Sequence, residues 1–431
     1  MLTFDHDDDD IFPLCWEHSR LAALMLAQGW DRTMMTAAVQ AVWDGDQRIP
    51  DLLVGHTMHA WRQPYPPDRE TLAEILAKRW DGKAVEIGLV TTPPSQTPGI
   101  ADVPRFDNPQ DLADWLGITI GHLEWFADCH GRTVDADAPK LGHYTQTFLR
   151  KKGGGLRVVE APRPRLKAIQ RKILREVLNR VPAHPDSFGF VHGRNAQQGA
   201  ARHVGEEIVI SCDLADFFPS IPAARVHAIF RCLGYSHSVA RLLTGLTTTR
   251  TPKDCAAALS DPEQWRQPHL PQGAPTSPAL ANMAARRLDI RLSGLARSLG
   301  AAYSRYADDL TFSGDRGLAF DGGAPVLELI GEIVSDCGFT LNPAKIRIMK
   351  RSARQSVTGI VVNRHLNIRR GEYDRLKGIL TNCDRHGPEG QNRTGHPEFR
   401  RHLDGRITWV ESVNPRRGAR LREIFTRIDW T

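Results

Sequence analysis

Nothing in the 431-residue chain approaches the roughly 20 consecutive apolar residues that a membrane-spanning helix requires. The N-terminus, MLTFDHDDDD, lacks the basic and apolar regions of a signal peptide. Cysteine is scarce: seven residues, at 15, 129, 212, 232, 255, 337 and 383, none in a CxxC or other zinc-binding spacing. An odd, scattered count fits free thiols in a reducing cytosol and argues against a disulfide framework. Internal repeats are absent, and Gly153–Gly155 is not followed by the Gly-Lys-Ser/Thr of a Walker A loop. What is present is ordinary for a folded protein: 41% hydrophobic and 25% charged residues, in a chain long enough for several domains of about 100–200 residues each.

The charge is unevenly divided. Residues 1–139 hold 10 Lys and Arg against 23 Asp and Glu, a net of −13, whereas residues 140–431 hold 46 against 27, a net of +19. The last 90 residues alone carry 20 against 9, nearly all of the excess being Arg. Such a balance is the electrostatic footprint of a protein that binds a phosphate backbone.

Apolar spacing organises the chain further. Met35, Ala38, Val39, Val42 and Trp43 after Asp31, and Leu72, Ile75, Leu76 and Trp80 after Asp68, follow helical periodicity. Residues 1–92 therefore read as an acidic helical extension whose core uses Trp, with Asp7–Asp10 as a solvated tail. The stretch 93–104, PPSQTPGIADVP, has four prolines and reads as a linker. Beyond it, Asn108 or Asp111 can cap a helix carrying Leu112, Trp115 and Leu116. Leu156–Glu160 reads as a strand, and Leu166, Ile169, Ile173, Leu174, Val177, Leu178 and Val181 stripe one face of a helix.

Three local patterns carry chemistry. Ile208–Cys212 is an apolar run ending in Asp213, which predicts a buried strand with a carboxylate at its C-terminal end. Tyr303–Phe312 flanks an Ala-Asp-Asp core with strand formers, which predicts a hairpin presenting Asp308 and Asp309 at its tip. Leu270-Pro271-Gln272-Gly273-Ala274-Pro275-Thr276-Ser277-Pro278 predicts a tight loop entering a helix. Adjacent acids repel unless paired, solvated or bound to a cation, and hard oxygen ligands select Mg²⁺ or Mn²⁺ over zinc. Three such carboxylates and a triphosphate can hold two ions about 3.5–4 Å apart, the clamp for in-line phosphoryl transfer.

In this order the three patterns resemble reverse transcriptases. Tyr306-Ala307-Asp308-Asp309 is similar to their YxDD box, residues 213–221 (DLADFFPSI) to motif A, and Leu270–Pro278 to motif B. Leu156–Val159 and Pro162–Arg171 resemble the fingers of bacterial reverse transcriptases, and Ser356-Val357-Thr358-Gly359 resembles the Val-Thr-Gly triplet of retron enzymes. The likeness covers roughly residues 106–431. One departure is Gly199-Ala200-Ala201-Arg202-His203, which keeps the Ala and His but not the Asn of an element that often precedes motif A in retrons.

The resemblance implies an α+β right-hand polymerase, with fingers and palm in 105–362 and a basic helical thumb in 363–431. It implies two Mg²⁺ (or Mn²⁺) held by Asp213, Asp308, Asp309 and the Leu214 carbonyl. Arg157, with Lys151 or Lys152, would hold the triphosphate, and Phe218 would serve as the sugar gate while Phe217 stays in the core. Gln272, Gly273 and Tyr306 would line the nucleotide pocket, and Lys345 matches a lysine proposed to protonate pyrophosphate. Val357, Thr358 and Gly359 would grip the primer, and Arg369, Arg370, Arg400, Arg401, Arg416, Arg417 and Arg420 would track RNA. No second cluster of acids follows residue 360, so no ribonuclease H segment is expected. A retron enzyme implies the bacterial cytoplasm, a structured non-coding RNA copied into branched multicopy single-stranded DNA, an effector protein and antiphage defence. The alternatives are a diversity-generating or group II-like reverse transcriptase, or a scaffold that binds RNA and an effector. The Val-Thr-Gly triplet speaks against the first and the intact acids against the second.

Overall fold

A computed structural model describes residues 18, 21–22, 25–26, 32–40, 49–61, 67, 69–78, 103–129, 131–134, 142–150, 154–315, 318 and 323–430. The chain divides into two compact units, Met1–Ser95 and Gln96–Thr431.

In the first unit, helices Arg32–Gln40, Ile49–Ala60 and Arg69–Ala77 enclose Leu21, Met25, Met35, Val39, Leu53, Val54, Leu72 and Leu76. Met35 and Val39 lie one turn apart on the buried face, as their spacing predicts. Of the tryptophans expected in this core, Trp61 is only half-buried, and Trp16, Trp30, Trp43 and Trp80 lie outside the described residues, as do Asp7–Asp10.

Val103 is buried, and the Pro104 carbonyl accepts a hydrogen bond from the Tyr235 hydroxyl at 2.9 Å, so the proline-rich stretch ends in packing contacts. Both cap candidates of the next helix, Pro109–Leu116, are used. Asn108 Oδ1 accepts from the Gln110 and Asp111 backbone N–H groups, and the Asp111 carboxylate accepts in return from the Asn108 N–H.

Strands β1 (Tyr144–Arg150) and β2 (Leu156–Pro162) form an antiparallel hairpin. Helix Pro164–Glu176 follows, burying Leu166, Ile169 and Ile173. Four strands make the central sheet: β3 (Ile208–Asp213), β4 (Ala302–Tyr306), β5 (Asp309–Gly314) and β6 (Arg347–Lys350), in the order β4-β5-β3-β6 and all antiparallel. Because side chains alternate along a strand, β3 feeds two cores. Ile208, Ile210 and Cys212 join the core under helices Ser277–Ala284, Arg286–Ser298 and Ala324–Asp336. Val209 points the other way, with Met349 of β6, into a second core. That core is built by helices Arg370–His386, Phe399–Val413 and Pro415–Arg427, and it also takes in the small hairpin β7 (Ser356–Val357) and β8 (Ile360–Val361).

Candidate active site

Register brings the acids together. Asp213, the last residue of β3, lies directly opposite Asp309, the first residue of β5. The β4–β5 hairpin closes through a two-residue turn, Ala307-Asp308, so Asp308 stands at its tip beside Asp309. The Leu214 N–H donates to the Asp308 carbonyl at 3.0 Å, fixing the turn against the end of β3. Asn342 N–H donates to the Asp213 carbonyl at 2.7 Å, and Ala215 N–H donates to Thr340, which leaves the Leu214 carbonyl without a backbone hydrogen bond among the described residues.

The electrostatics record the crowding. Burial, then the neighbouring charges of Asp308 and Asp213, pushes the Asp309 carboxyl up to about 6. Burial and Asp213 also raise Asp308, while Lys345 and Arg157 oppose the rise. The ammonium of Lys345 sits 2.8 Å from both Asp213 oxygens. The carboxylate cluster thus already draws one cation to itself. Among the described residues no three acids, His or Cys close on a single point as a preformed metal cage.

The turn is braced from behind. Ala307 has φ 57°, uncommon for a residue with a Cβ, and its backbone is pinned by the segment Ser187–Phe190. The Phe188 N–H donates to the Arg305 carbonyl at 2.8 Å, and a Cβ on Gly189 would stand 2.4 Å from the Ala307 nitrogen. Only glycine permits that approach. Arg305 is fully buried and forms a bidentate pair with Asp289 through Nε and Nη2 at 2.7 and 2.6 Å, while Nη2 also donates to Ser187 and Nη1 donates to Asn282 and the Ala307 carbonyl. Burial disfavours the guanidinium, but the bonds and charge of Asp289 outweigh it and hold Arg305 above its ordinary value. His203, the histidine of the departed element, lies buried between Ser304 and Ser313 at 2.7 Å from each hydroxyl. Desolvation lowers its pKa to about 3, so it serves there as a neutral ring.

Around this centre the other expected residues fall as follows. Arg157 is exposed on β2. Lys151 and Lys152 lie outside the described residues. Phe217 is buried and Phe218 half-buried, with the exposed ring of Phe190 6.0 Å from it. The Gln272 carbonyl accepts from the Glu160 N–H at 2.8 Å, and Gly273, at φ 135°, lies where a Cβ would press Val159 at 3.0 Å. Tyr306 is half-buried opposite Asp309. The triplet divides: Thr358 and Gly359, at φ 48° and 84°, form the β7–β8 turn, whereas Val357 is 2% exposed. Strand alternation turns the Val357 side chain into the core of the C-terminal helices. Arg369 and Arg370 pair with Glu372 and Asp374 on the same helix, and Arg417 covers the Tyr373 ring at 4.8 Å. Arg305, Asp289, Asn282 and Gly189 escaped sequence reading. The only local signal was an arginine inside an otherwise β-forming run.

A sheet that sets the carboxylates of Asp213 and Asp309 in register, with Asp308 in the adjoining turn, has the arrangement of a nucleotidyl-transferring polymerase. Residues 149–362 match the family described as reverse transcriptase (RNA-dependent DNA polymerase). The chain is 38% identical over 328 residues to the retron Mx65 reverse transcriptase of Myxococcus xanthus, spanning 74% of this chain and 71% of that protein. It is 34% identical over 344 residues to the retron Mx162 reverse transcriptase of the same organism, spanning 76% and 68%. It is 29% identical over 305 residues to the retron Ec86 reverse transcriptase of Escherichia coli, spanning 69% and 86%. The chain belongs to the retron reverse transcriptases and is an RNA-directed DNA polymerase. Enzymes of this family copy an RNA template from deoxynucleoside triphosphates with divalent metal ions. Among the described residues no helix is long and apolar enough to cross a membrane.

Proposed function

We propose that Asp213, Asp308 and Asp309, with the Leu214 carbonyl, hold two Mg²⁺ ions and that this centre extends a DNA strand on a structured non-coding RNA. The observation that carries the reading is the register of Asp213 against Asp309 with Asp308 in the adjoining turn. Bound ions would lower the pKa of the primer hydroxyl and neutralise the leaving pyrophosphate. Lys345 keeps Asp213 neutralised before substrate arrives and, once released, stands where an ammonium can give a proton to pyrophosphate. Arg157, with Lys151 or Lys152, orients the triphosphate. Phe218 lies under the sugar and leaves no room for a 2′-hydroxyl, while Gln272, Gly273 and Tyr306 shape the base pocket. Val357, Thr358 and Gly359 form the grip on the primer end, and the thumb arginines follow RNA phosphates.

The retron context extends the proposal to priming from a 2′-hydroxyl of the RNA, a branched RNA–DNA product, an effector protein as partner, and antiphage defence in the bacterial cytoplasm. Primer extension on poly(rA)/oligo(dT) with Mg²⁺ tests the centre: Asp308→Ala/Asp309→Ala should abolish incorporation, and incorporation equal to wild type would remove the catalytic assignment. Sequencing the nucleic acid that co-purifies with the protein tests the rest, a single structured RNA linked to DNA being the expected result.

A further inference from the structure

Strand β2 turns Val158, Glu160 and Pro162 inward and leaves Arg157 exposed on its other face. Val158 packs in a small core with Ala256 and Trp265. Alternation calls for another apolar side chain at 160, yet an acid stands there with no exposed surface. An acid is almost never buried so completely without partners, and Glu160 has two. Its Oε1 accepts from the Thr251 hydroxyl at 2.8 Å, and its Oε2 lies 3.0 Å from Nε2 of His269, an imidazole only 1% exposed. The Trp265 ring stands nearly perpendicular to that imidazole, with centroids 5.4 Å apart. His269 Nδ1 faces the Gln267 carbonyl at 2.7 Å and so carries a hydrogen there, which leaves Nε2 and Oε2 to share one proton between them.

The pair joins segments that are far apart in the chain. His269 directly precedes motif B, and its backbone exchanges hydrogen bonds with Thr249 at 2.9 and 3.0 Å. Its neighbours are tied to the end of motif A: the Ala223 N–H donates to the Pro268 carbonyl at 2.8 Å, and the Leu270 N–H to the Ile221 carbonyl at 3.1 Å. Glu160 in turn stands three residues beyond Arg157, and its own N–H donates to the Gln272 carbonyl. One residue of β2 thus grips motif B twice, by its backbone at Gln272 and by its side chain at His269.

We propose that Glu160 and His269 are positioning residues for the incoming nucleotide, their buried contact fixing the spacing between Arg157 at the triphosphate and Gln272 and Gly273 at the base pocket. The inference rests on those roles of Arg157, Gln272 and Gly273. A single backbone bond sets only where the strand touches the motif B loop; a second attachment, on the inward face, also sets its direction. Neither side chain touches the nucleotide, and both act through the backbone they hold. Apolar residues would fill the same space without desolvating two polar groups, so filling the interior does not account for the pair.

Steady-state extension of oligo(dT) on poly(rA) by the full chain, with thymidine triphosphate varied, tests the assignment. Glu160→Leu and His269→Leu should each raise the KM for the nucleotide about tenfold, and the double variant no further, because all three lose the same contact. Affinity for primer–template, read by fluorescence anisotropy, should stay within about twofold of wild type. A role confined to stability would instead lower the folded fraction, and with it the maximal rate, at unchanged KM. Glu160→Gln keeps a hydrogen for His269 Nε2 and an acceptor for Thr251, so it should bring KM back to within about threefold of wild type. Thr251→Val removes one hydrogen bond without opening a cavity and should raise KM about two- to threefold, which decides the matter if the leucine variants do not fold. Wild-type KM in every variant that folds, or no recovery in Glu160→Gln, would overturn the proposal. Arg157→Ala, run alongside, separates the two levels: a raised KM there with none in the pair variants removes only the pair's role, whereas an unchanged KM removes the role of Arg157 and the inference with it.

Discussion

Single atoms set the position of the catalytic turn. The hydrogen where Gly189 would otherwise carry a Cβ is what lets Ser187–Phe190 lie against the nitrogen of Ala307, which holds a left-handed φ. Gly189→Ala should therefore push the turn away and displace Asp308. Displacements of this order cost about a hundredfold in rate, so primer extension should fall sharply while circular dichroism keeps the native signal. A buried neutral histidine makes a second residue-scale prediction. With His203 at about 3 in the folded protein and near 6.5 when unfolded, the unfolded chain binds the extra proton anywhere between these values. Stability is then unaffected above pH 6.5 and falls by up to about 1.4 kcal/mol per pH unit as the pH drops below it, levelling near 3. Denaturant titrations from pH 7 to 4 should show a shallower fall in His203→Gln, which keeps hydrogen bonding to Ser304 and Ser313 without a titrating ring.

The hairpin β4–β5 illustrates what can be read at the level of elements. Its strands, its turn and the acids at its tip were legible because alternation and turn chemistry are local properties. The same holds for Asp213 at the end of β3, and for the Asn108 and Asp111 cap. The brace behind the hairpin was not legible. Arg305 finds Asp289 and Asn282 on the helices that follow motif B, Ser187 and Gly189 come from more than a hundred residues upstream, and no periodicity announces a buried charge. The division of the Val-Thr-Gly triplet was not legible either: alternation sends the Val357 side chain inward, while Thr358 and Gly359 form the turn. The brace is also the element's weak point. Asp289→Ala would leave Arg305 buried without a counter-charge, a change that typically costs about 3–5 kcal/mol, and equilibrium unfolding in urea should show a loss of that size. An Asp289→Asn variant, which keeps a hydrogen-bond acceptor, should lose less.

For the molecule as a whole, the acidic unit Met1–Ser95 and the basic remainder are separate bodies with separate cores. Our proposal for the first is a protein-docking role, given its 15 Asp and Glu against 8 Lys and Arg, a net of −7. Removing residues 1–95 should leave primer extension close to that of the full chain while abolishing biological output; loss of polymerase activity would contradict the assignment. Truncation at this point keeps Val103 and Phe106, which the second unit needs for packing.

The thumb enjoys no such independence. Val209 and Met349 belong to the sheet that bears Asp213, yet their side chains are bricks in the wall of the C-terminal helices. Anyone grafting a foreign C-terminal segment onto this enzyme at residue 363, to redirect it to another transcript, would set those two side chains against a surface that never evolved to meet them. A working chimera must carry the outer face of the sheet along with the helices it came from.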